Sequence, residues 1–412
     1  MFRVGCCKAT GFHIPAEGAT ASLEGLRIGF VSTYPPRACG IATFTRDLAQ
    51  ALTVRRRVQQ TVIVPVENDL SLASNENVID QYDRASYIVA AGFLNESNLD
   101  AVSIQHEFGI FGGEWGEYIL DLCRNLELPF ITTFHSVIMK PDEKVSEIVQ
   151  KISQLSTNVV VTLDSAKKLL TNHYEIAPEK IMVIPHGAPV PDQRRRSYAR
   201  QHLHLRNRTV LVTTGLINPG KGIEHAIKSL SYLVKERPDI LYLVIGETHP
   251  EVRKREGEAY RNMLLALVKR LKLERNVRFV DEYLPEAELS LYMQAADIYV
   301  APYAGRDQVS SGTITFALTH GKVVVATPTV FADEALSYGR GLLCDFGDEY
   351  SIAKCVRRVL GDSKLRRRLE TNAFNYGQDL AWGKVADAYA DVFRSAKRLE
   401  GAITETSKVS EI

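Results

Sequence analysis

Ser311-Gly312-Thr313 lies in YAGRDQVSSGTITFALTHGKVVVATP, the stretch from Tyr303 to Pro328, and is the group of residues best suited to hold an anion. An apolar β-type run, Ile298-Tyr299-Val300-Ala301-Pro302, leads into a polar loop, Gly305-Arg306-Asp307-Gln308, and helical character begins at Ser311. The first amides of a helix have no intrahelical acceptor and sit at the positive end of its dipole, which suits a phosphate. The same residues also serve as an ordinary N-cap. A second source of positive charge is Lys221, in Gly215-Leu216-Ile217-Asn218-Pro219-Gly220-Lys221-Gly222. An ammonium there could reach a diphosphate, although a single loop lysine is normally just solvated.

Polar clusters also follow apolar runs in the first half. Gln105-His106-Glu107-Phe108-Gly109-Ile110-Phe111-Gly112-Gly113-Glu114-Trp115 combines polar side chains with three glycines, the composition of a substrate loop, while His106 or Glu107 could equally cap a nearby helix. His135-Ser136 ends Phe130–Phe134. A histidine there could hydrogen-bond a sugar hydroxyl, act on a proton, or be a satisfied core residue. His186-Gly187 ends a further run between Pro185 and Pro189 and reads as a structural interdomain turn. Gly40, after Tyr34-Pro35-Pro36-Arg37-Ala38-Cys39, either lets the backbone approach a ligand or begins the helix Ile41–Leu52.

The elements that must position these residues read as two successive βα arrays. Apolar runs at Ile28–Val31, Val62–Val64, Ala101–Ile104, Phe130–Phe134, Val159–Val161 and Ile181–Ile184 alternate with helical patterning. A second series follows at Thr209–Thr214, Leu241–Ile245, Val277–Val280, Ile298–Ala301, Val323–Ala326 and Leu342–Cys344. This alternation specifies parallel sheets covered by helices, whose ligands sit at the carboxyl ends of the strands. Neither half carries the GxGxxG fingerprint with a later acidic residue, which argues against a dehydrogenase. Pro189 to Arg196 changes composition abruptly and reads as a linker whose arginines, Arg194-Arg195-Arg196, are solvated or touch a membrane surface or an acidic partner.

At 412 residues, with 45% hydrophobic and 24% charged residues, the chain is a globular protein with room for two domains. A net charge of +1 gives no bulk attraction to nucleic acid. Six cysteines without metal-ligand spacing read as free thiols in a reducing compartment, with Cys6-Cys7 in an N-terminal tail. No run is long enough to span a bilayer, and the N-terminus lacks a signal-peptide h-region, so the expectation is a cytoplasmic protein. Arg55-Arg56-Arg57 leaves open a peripheral contact with the inner membrane face, or simply marks an exposed helix end.

Taken in order, PPRACGIATFT within Tyr34–Thr45, TTFHS around His135, VIPHG at Val183–Gly187, Gly215…Lys221-Gly222, ADIYVAP at Ala296–Pro302, Gly321–Pro328 and AWGKVA at Ala381–Ala386 resemble the retaining GT-B glycosyltransferases of family 4. The resemblance covers roughly residues 27–399. It implies an α/β GT-B fold, two Rossmann-like domains facing across a deep cleft with a C-terminal helix crossing back. The expected boundaries are an extension at 1–25, an acceptor domain at 26–190, a linker at 191–206, a donor domain at 207–380, a crossover helix at 381–400 and a flexible tail at 401–412.

The implied substrates are a nucleoside diphosphate sugar, of UDP-glucose or GDP-mannose type, and a sugar, glycan or lipid-linked acceptor, with no metal or other cofactor. Lys221, His135 and Arg306 are the implied catalytic residues. Gly40, Gly215, Lys221, Gly246, Glu247, Tyr283, Leu284, Gln308, Ser311, Gly312 and Thr313 would bind donor, and His106, Glu107, Gly112 and Gly113 would face the acceptor. Two positions depart from the pattern. The arginine usual five residues before the lysine is Leu216, and the family's paired glutamates fall at Gln308 and Phe316. Arg306 is therefore expected to replace the missing cation, and the ribose to be held without a glutamate. A regulatory relative that lost the site, or a GT-B epimerase or phosphorylase, are the alternatives.

Overall fold

A computed structural model describes residues 25–72, 77–191 and 196–410. The N-terminal domain runs β1 (Leu26–Ser32), α1 (Gly40–Val54), β2 (Val58–Glu67), β3 (Ile79–Asp80), α2 (Arg84–Glu96), β4 (Ala101–His106), α3 (Ile119–Asn125), β5 (Phe130–Phe134), α4 (Glu143–Leu155), β6 (Asn158–Val161), α5 (Asp164–His173) and β7 (Ile181–Val183). The C-terminal half contains α6 (Arg196–His202), β8 (Thr209–Thr214), α7 (Ile223–Leu230), β9 (Ile240–Ile245), α8 (Pro250–Glu256), α9 (Ala259–Arg270), β10 (Val277–Val280) and α10 (Glu286–Ala295). It continues through β11 (Ile298–Ala301), α11 (Gly312–Thr319), β12 (Val323–Ala326), α12 (Val330–Ala335), β13 (Gly341–Leu343), α13 (Glu349–Gly361), α14 (Ser363–Gly377) and α15 (Trp382–Ser410).

Every paired strand is parallel. The seven-stranded sheet has the order β3-β2-β1-β4-β5-β6-β7, and the six-stranded sheet β10-β9-β8-β11-β12-β13. Central strands such as β4, β5, β8 and β9 are buried along their whole length, which is why they read as continuous apolar runs. β2 is longer than its apolar segment because Val58 and the exposed Gln60 still pair with β1, the register shifting past Gln59 between them. The two-residue β3 has too short a pattern to be legible.

Two expectations about the connections change. Residues 191–206 are not only a linker, since they contain α6, and Arg196 is ion-paired as well as partly solvated. Arg196 and Arg200 on α6 bind the carboxylate of Asp297, which also takes Arg366 at 3.0 Å and the Val210 amide at 2.8 Å. A nearly buried carboxylate needs such partners, and α6 supplies two of them. The final helix extends to Ser410 rather than ending at 400, because Gly401 alone, at about 1 kcal/mol, is too weak to stop it. The extension at 1–24, with Cys6 and Cys7, and Arg194-Arg195 lie outside the described residues. Among the described residues, Cys39, Cys123, Cys344 and Cys355 are free thiols, and no helix is long and apolar enough to cross a membrane.

Candidate active site

Each sheet reverses its strand order beside its first strand, at β1/β4 and at β8/β11. Loops leaving such a switch point diverge and open a crevice at the strand carboxyl ends. Lys221 and Ser311 follow β8 and β11, while Gly40 and Glu107 follow β1 and β4.

On the C-terminal side the β8–α7 loop is braced against the end of β11. Gly222 has φ +59, and a Cβ there would stand 2.1 Å from the Pro302 carbonyl oxygen, so only glycine allows this approach. The Ala304 amide donates to the Gly220 carbonyl at 2.9 Å. The bracing holds Lys221, nearly buried, with Nζ donating to the Thr214 carbonyl at 2.9 Å and lying 5.4 Å from the Tyr303 ring centre. A Cβ on Gly215 would meet Lys221 Nζ at 3.1 Å and Thr313 Cγ2 at 3.2 Å, so the ammonium and the start of α11 share one wall. Burial acts to raise the Tyr303 phenol, but the Lys221 cation and the hydroxyls of Ser311, Thr313 and Tyr299 outweigh it and hold it below its ordinary value. Ser311 caps α11 by accepting from the Ile314 amide at 3.4 Å, and Tyr303 Oη lies 2.9 Å from Thr313 Oγ1. The capping bond leaves the amides of Gly312 and Thr313 unused, because the first helical N–H groups have no acceptor within the helix.

On the N-terminal side, His135 is held at the carboxyl end of β5. Its Nε2 lies 2.9 Å from Gln105 Oε1, while Gln105 Nε2 donates to Ser103 Oγ at 2.9 Å. With the amide so placed, the tautomer that satisfies Gln105 Oε1 carries its proton on Nε2 and leaves Nδ1 an acceptor. Burial, with smaller contributions from His186 and His106, pushes the His135 pKa down to about 3, so the ring is neutral at physiological pH. Phe44 on α1 packs against both His135 and His186, with ring centres 4.7 and 4.9 Å away. Gly40, at the start of α1, has open space around it, and no side chain caps that helix.

His186 is more than the turn residue its sequence indicated. Its Nδ1 donates to the Gly187 carbonyl at 2.7 Å, and a Cβ on Gly312 would lie 3.3 Å from its Nε2. Burial lowers its pKa to about 4. Its position beside α11 was not legible because Gly312 follows it by more than a hundred residues.

The remaining donor-side positions divide. Gly246 packs against Gly215, where a Cβ would come 2.3 Å from that carbonyl oxygen, and Glu247 pairs with Arg253 at 3.4 Å. Tyr283 reaches across the domains to Thr43 Oγ1 at 2.8 Å, and Leu284 beside it is half-buried. Arg306 is exposed, its carbonyl fixed by the Val330 amide at 3.0 Å, and has no ion pair among the described residues. Gln308 is partly buried with Oε1 unpartnered, and Phe316 lies against His320 with ring centres 4.3 Å apart.

Three acceptor-side expectations change. His106 is wholly buried among Phe108, Phe111 and Phe134, with ring centres 5.0 to 5.7 Å away, so it faces the core and not the crevice. Gly112 is buried, donates its amide to Tyr87 Oη at 2.9 Å, and has no room for a Cβ, which would stand 1.8 Å from the Gln81 carbonyl oxygen. Gly113, at φ +82, supplies a turn beside Tyr118. Both glycines shape the loop. What the loop presents is Trp115, 40% exposed at φ +54. Glu107 keeps its crevice position and accepts from the Gly109 amide at 2.9 Å. With Phe108, Trp115, Ser136, Ile138 and Asp307 it lines a cavity of about 450 Å³ between the domains. Another hollow, of about 400 Å³, lies at the amino end of β5 beside Cys123 and Leu399, away from the switch points.

Arg55 and Arg57 are held by Asp387 of α15 at 2.6 and 2.8 Å, and Arg56 between them is exposed.

Comparison with known proteins agrees with this arrangement. The family model for glycosyl transferases group 1 matches residues 194–376, and that for glycosyltransferase family 4 matches residues 38–190. The D-inositol 3-phosphate glycosyltransferase of Corynebacterium glutamicum is 26% identical over 322 residues, covering 73% of this chain and 74% of that one. Its counterpart from Corynebacterium efficiens is 24% identical, covering 72% of each. Among solved structures, Anabaena HepE in complex with UDP and glucose superposes with a TM-score of 0.71 at 16% identity, covering 90% of this chain and 100% of that one. Sucrose-phosphate synthase from Thermosynechococcus elongatus gives 0.71 at 18% identity, covering 92% and 100%. With both halves matched in order and each built on a parallel Rossmann-like sheet, the chain belongs to the GT-B glycosyltransferases of family 4.

Proposed function

We propose that the chain moves a hexosyl group, with retention of configuration, from a nucleoside diphosphate sugar of UDP-glucose or GDP-mannose type to a carbohydrate acceptor. The observation that carries this reading is the shared wall of Lys221 and the α11 N-terminus, a buried cation beside unpaired amides. In this reading Lys221 and the amides of Gly312 and Thr313 take the charge that develops on the distal phosphate as the C1–O bond breaks. The acceptor oxygen bonds C1 from the same face and passes its proton to the departing phosphate, so no protein nucleophile or metal is invoked. His135, neutral at physiological pH, orients a sugar hydroxyl, and the α1 start at Gly40 offers further amides to the phosphates. The base lies between Gly246-Glu247 and Tyr283-Leu284. Arg306 replaces the cation absent at Leu216, and the ribose is held without the glutamate that Phe316 displaces.

The relatives named for transfer to D-inositol 3-phosphate, and the solved structure of HepE with UDP and glucose, support a nucleotide-sugar donor and a sugar-like acceptor. A thermal-shift screen of nucleotide sugars should find a donor that raises the melting temperature, because a ligand of the folded state stabilises it. With that donor, Lys221→Ala should lower kcat by about 10²–10³, the usual cost of removing one group that stabilises developing charge. Arg306→Ala should reduce turnover as well. Unchanged turnover in Lys221→Ala would refute the assignment.

A further inference from the structure

The interdomain cavity says something about the acceptor that the relatives' names do not. Its aromatic wall is built at a cost. Trp115 is held in the left-handed region, which a bulky side chain adopts only when its surroundings impose it. The imposing elements are on either side. Gly113 has φ +82, and Gly116 has φ +77 with no room for a Cβ, which would stand 2.8 Å from the Phe108 carbonyl oxygen. The Trp115 ring stands edge-on to Phe108, with ring centres 5.9 Å apart, and keeps 40% of its surface exposed. A large aromatic fixed in this way, open to a cavity, presents a flat apolar face.

The polar groups beside that face are acidic. Glu107, from the end of β4, and Asp307, from the loop before α11, line the cavity from opposite domains. Ser136 hydrogen-bonds Glu107 and is the remaining polar side chain of the lining. No lysine, arginine or histidine lines the cavity among the described residues. Nearby cations are engaged or stand outside it. Arg37 donates to the Val66 carbonyl at 2.9 Å and to Gln81 at 3.1 Å, and Lys144 pairs with Glu117. Arg306 is exposed on the loop and is not among the lining groups.

We propose that this cavity takes an uncharged sugar, with one ring face on Trp115 and its hydroxyls donating to Glu107 and Asp307, and that it excludes phosphorylated acceptors. The inference rests on the transferase reading above and names the acceptor class for it. Carboxylates accept strong hydrogen bonds from hydroxyls, whereas a phosphate monoester carries up to two negative charges and only acceptor oxygens when fully ionised. Burial raises the Glu107 pKa and the Arg37 cation acts against that, so two acidic walls with no cation in the lining select by repulsion as well as attraction. In this respect the chain departs from the relatives named for transfer to D-inositol 3-phosphate.

The test is calorimetric titration of the full chain, saturated with UDP or GDP, with methyl glucoside, methyl mannoside, methyl galactoside and maltose. Glucose 1-phosphate, glucose 6-phosphate, mannose 6-phosphate and inositol 3-phosphate form the second arm. At least one neutral sugar should bind at least tenfold more tightly than every phosphorylated compound. Trp115→Ala should weaken that binding at least tenfold and Trp115→Phe should restore most of it, which separates stacking from a loop that merely misfolds. Glu107→Gln combined with Asp307→Asn should narrow the preference against phosphate. Tighter binding of a phosphorylated compound, equal binding by Trp115→Ala, or no neutral sugar bound at up to about 20 mM overturns the proposal. Donor binding in the thermal-shift screen is scored separately. A chain that binds no nucleotide sugar fails the proposed function, and one that binds donor but prefers phosphate fails only this inference.

Discussion

His106 shows how a residue with chemical capability can be spent inside the fold. Both ring nitrogens are buried without a hydrogen-bond partner, and three phenylalanine rings surround them. An unsatisfied buried polar group costs about 1–3 kcal/mol, so an apolar side chain of similar size should be tolerated or better. Burial pushes the His106 pKa down to about 3, and the same cause acts on His135. The unfolded state, with histidines titrating near 6.5, therefore binds more protons than the folded one in mildly acid solution. Stability is fully present above about pH 6.5 and is lost as pH falls toward 3, by up to about 1.4 kcal/mol per pH unit for each such histidine. His106→Leu should raise the urea midpoint at pH 7.5, corresponding to about 1 kcal/mol, and should flatten the decline measured between pH 6.5 and 5. A variant that is destabilised at pH 7.5 and keeps the parent's acid slope would show that His106 has a polar partner after all.

At the scale of elements, the C-terminal domain completes a helix of the N-terminal one. α5 begins after Leu163, which has no side chain to cap it, yet its first amides are satisfied. Glu334 on α12 of the other domain accepts from the Asp164 amide at 3.0 Å and from the Ser165 amide at 2.8 Å. Nearby, Thr162 Oγ1 donates to the Val309 carbonyl at 3.0 Å, just ahead of the α11 cap. This contact sets where α11 stands relative to β6 and so bears on the site. Glu334→Ala should cost about 1 kcal/mol, the usual value of a lost N-cap, and should speed amide exchange at Asp164 and Ser165. Unaltered exchange at both amides would mean that α5 is capped in some other way. The strands were legible because parallel buried strands announce themselves as local apolar runs, and the Lys221 loop and Ser311 cap because they follow such runs directly. The Glu334 cap was not, since its partners lie 169 and 170 residues away and a carboxylate on α12 carries no local sign of its target. Nor was Trp115. The neighbouring glycines were visible, but their steric necessity depends on Gln81 and Phe108, whose approach no spacing encodes.

For the whole molecule, the chain's end belongs to its beginning. α15 follows the C-terminal sheet in sequence, yet Val385, Ala386, Tyr389, Ala390 and Phe393 are buried in one cluster with Ile28, Phe30, Phe44 and Leu48 of the N-terminal domain. Polar contacts fix the register. Tyr389 Oη lies 3.0 Å from Thr133 Oγ1, Lys397 reaches Asp100 at 2.8 Å, and Asp387 holds Arg55 and Arg57. Trp382, at the turn into the helix, packs on Phe44 with ring centres 5.2 Å apart, so the crossover also buttresses the ring that positions His135 and His186. The N-terminal sheet thus depends on a helix made last. Tyr389→Ala, which empties a fully buried aromatic site, should cost about 3–5 kcal/mol, whereas Tyr389→Phe loses one hydrogen bond and should cost about 1 kcal/mol. Both tryptophans, Trp115 and Trp382, sit with the N-terminal domain, so their fluorescence follows that domain while far-ultraviolet circular dichroism follows both. In urea, Tyr389→Ala should move the fluorescence transition to lower denaturant, ahead of the circular-dichroism transition, because the loss falls on the domain that receives α15. A fluorescence midpoint equal to that of the parent would mean that the N-terminal domain stands without the helix packed across it.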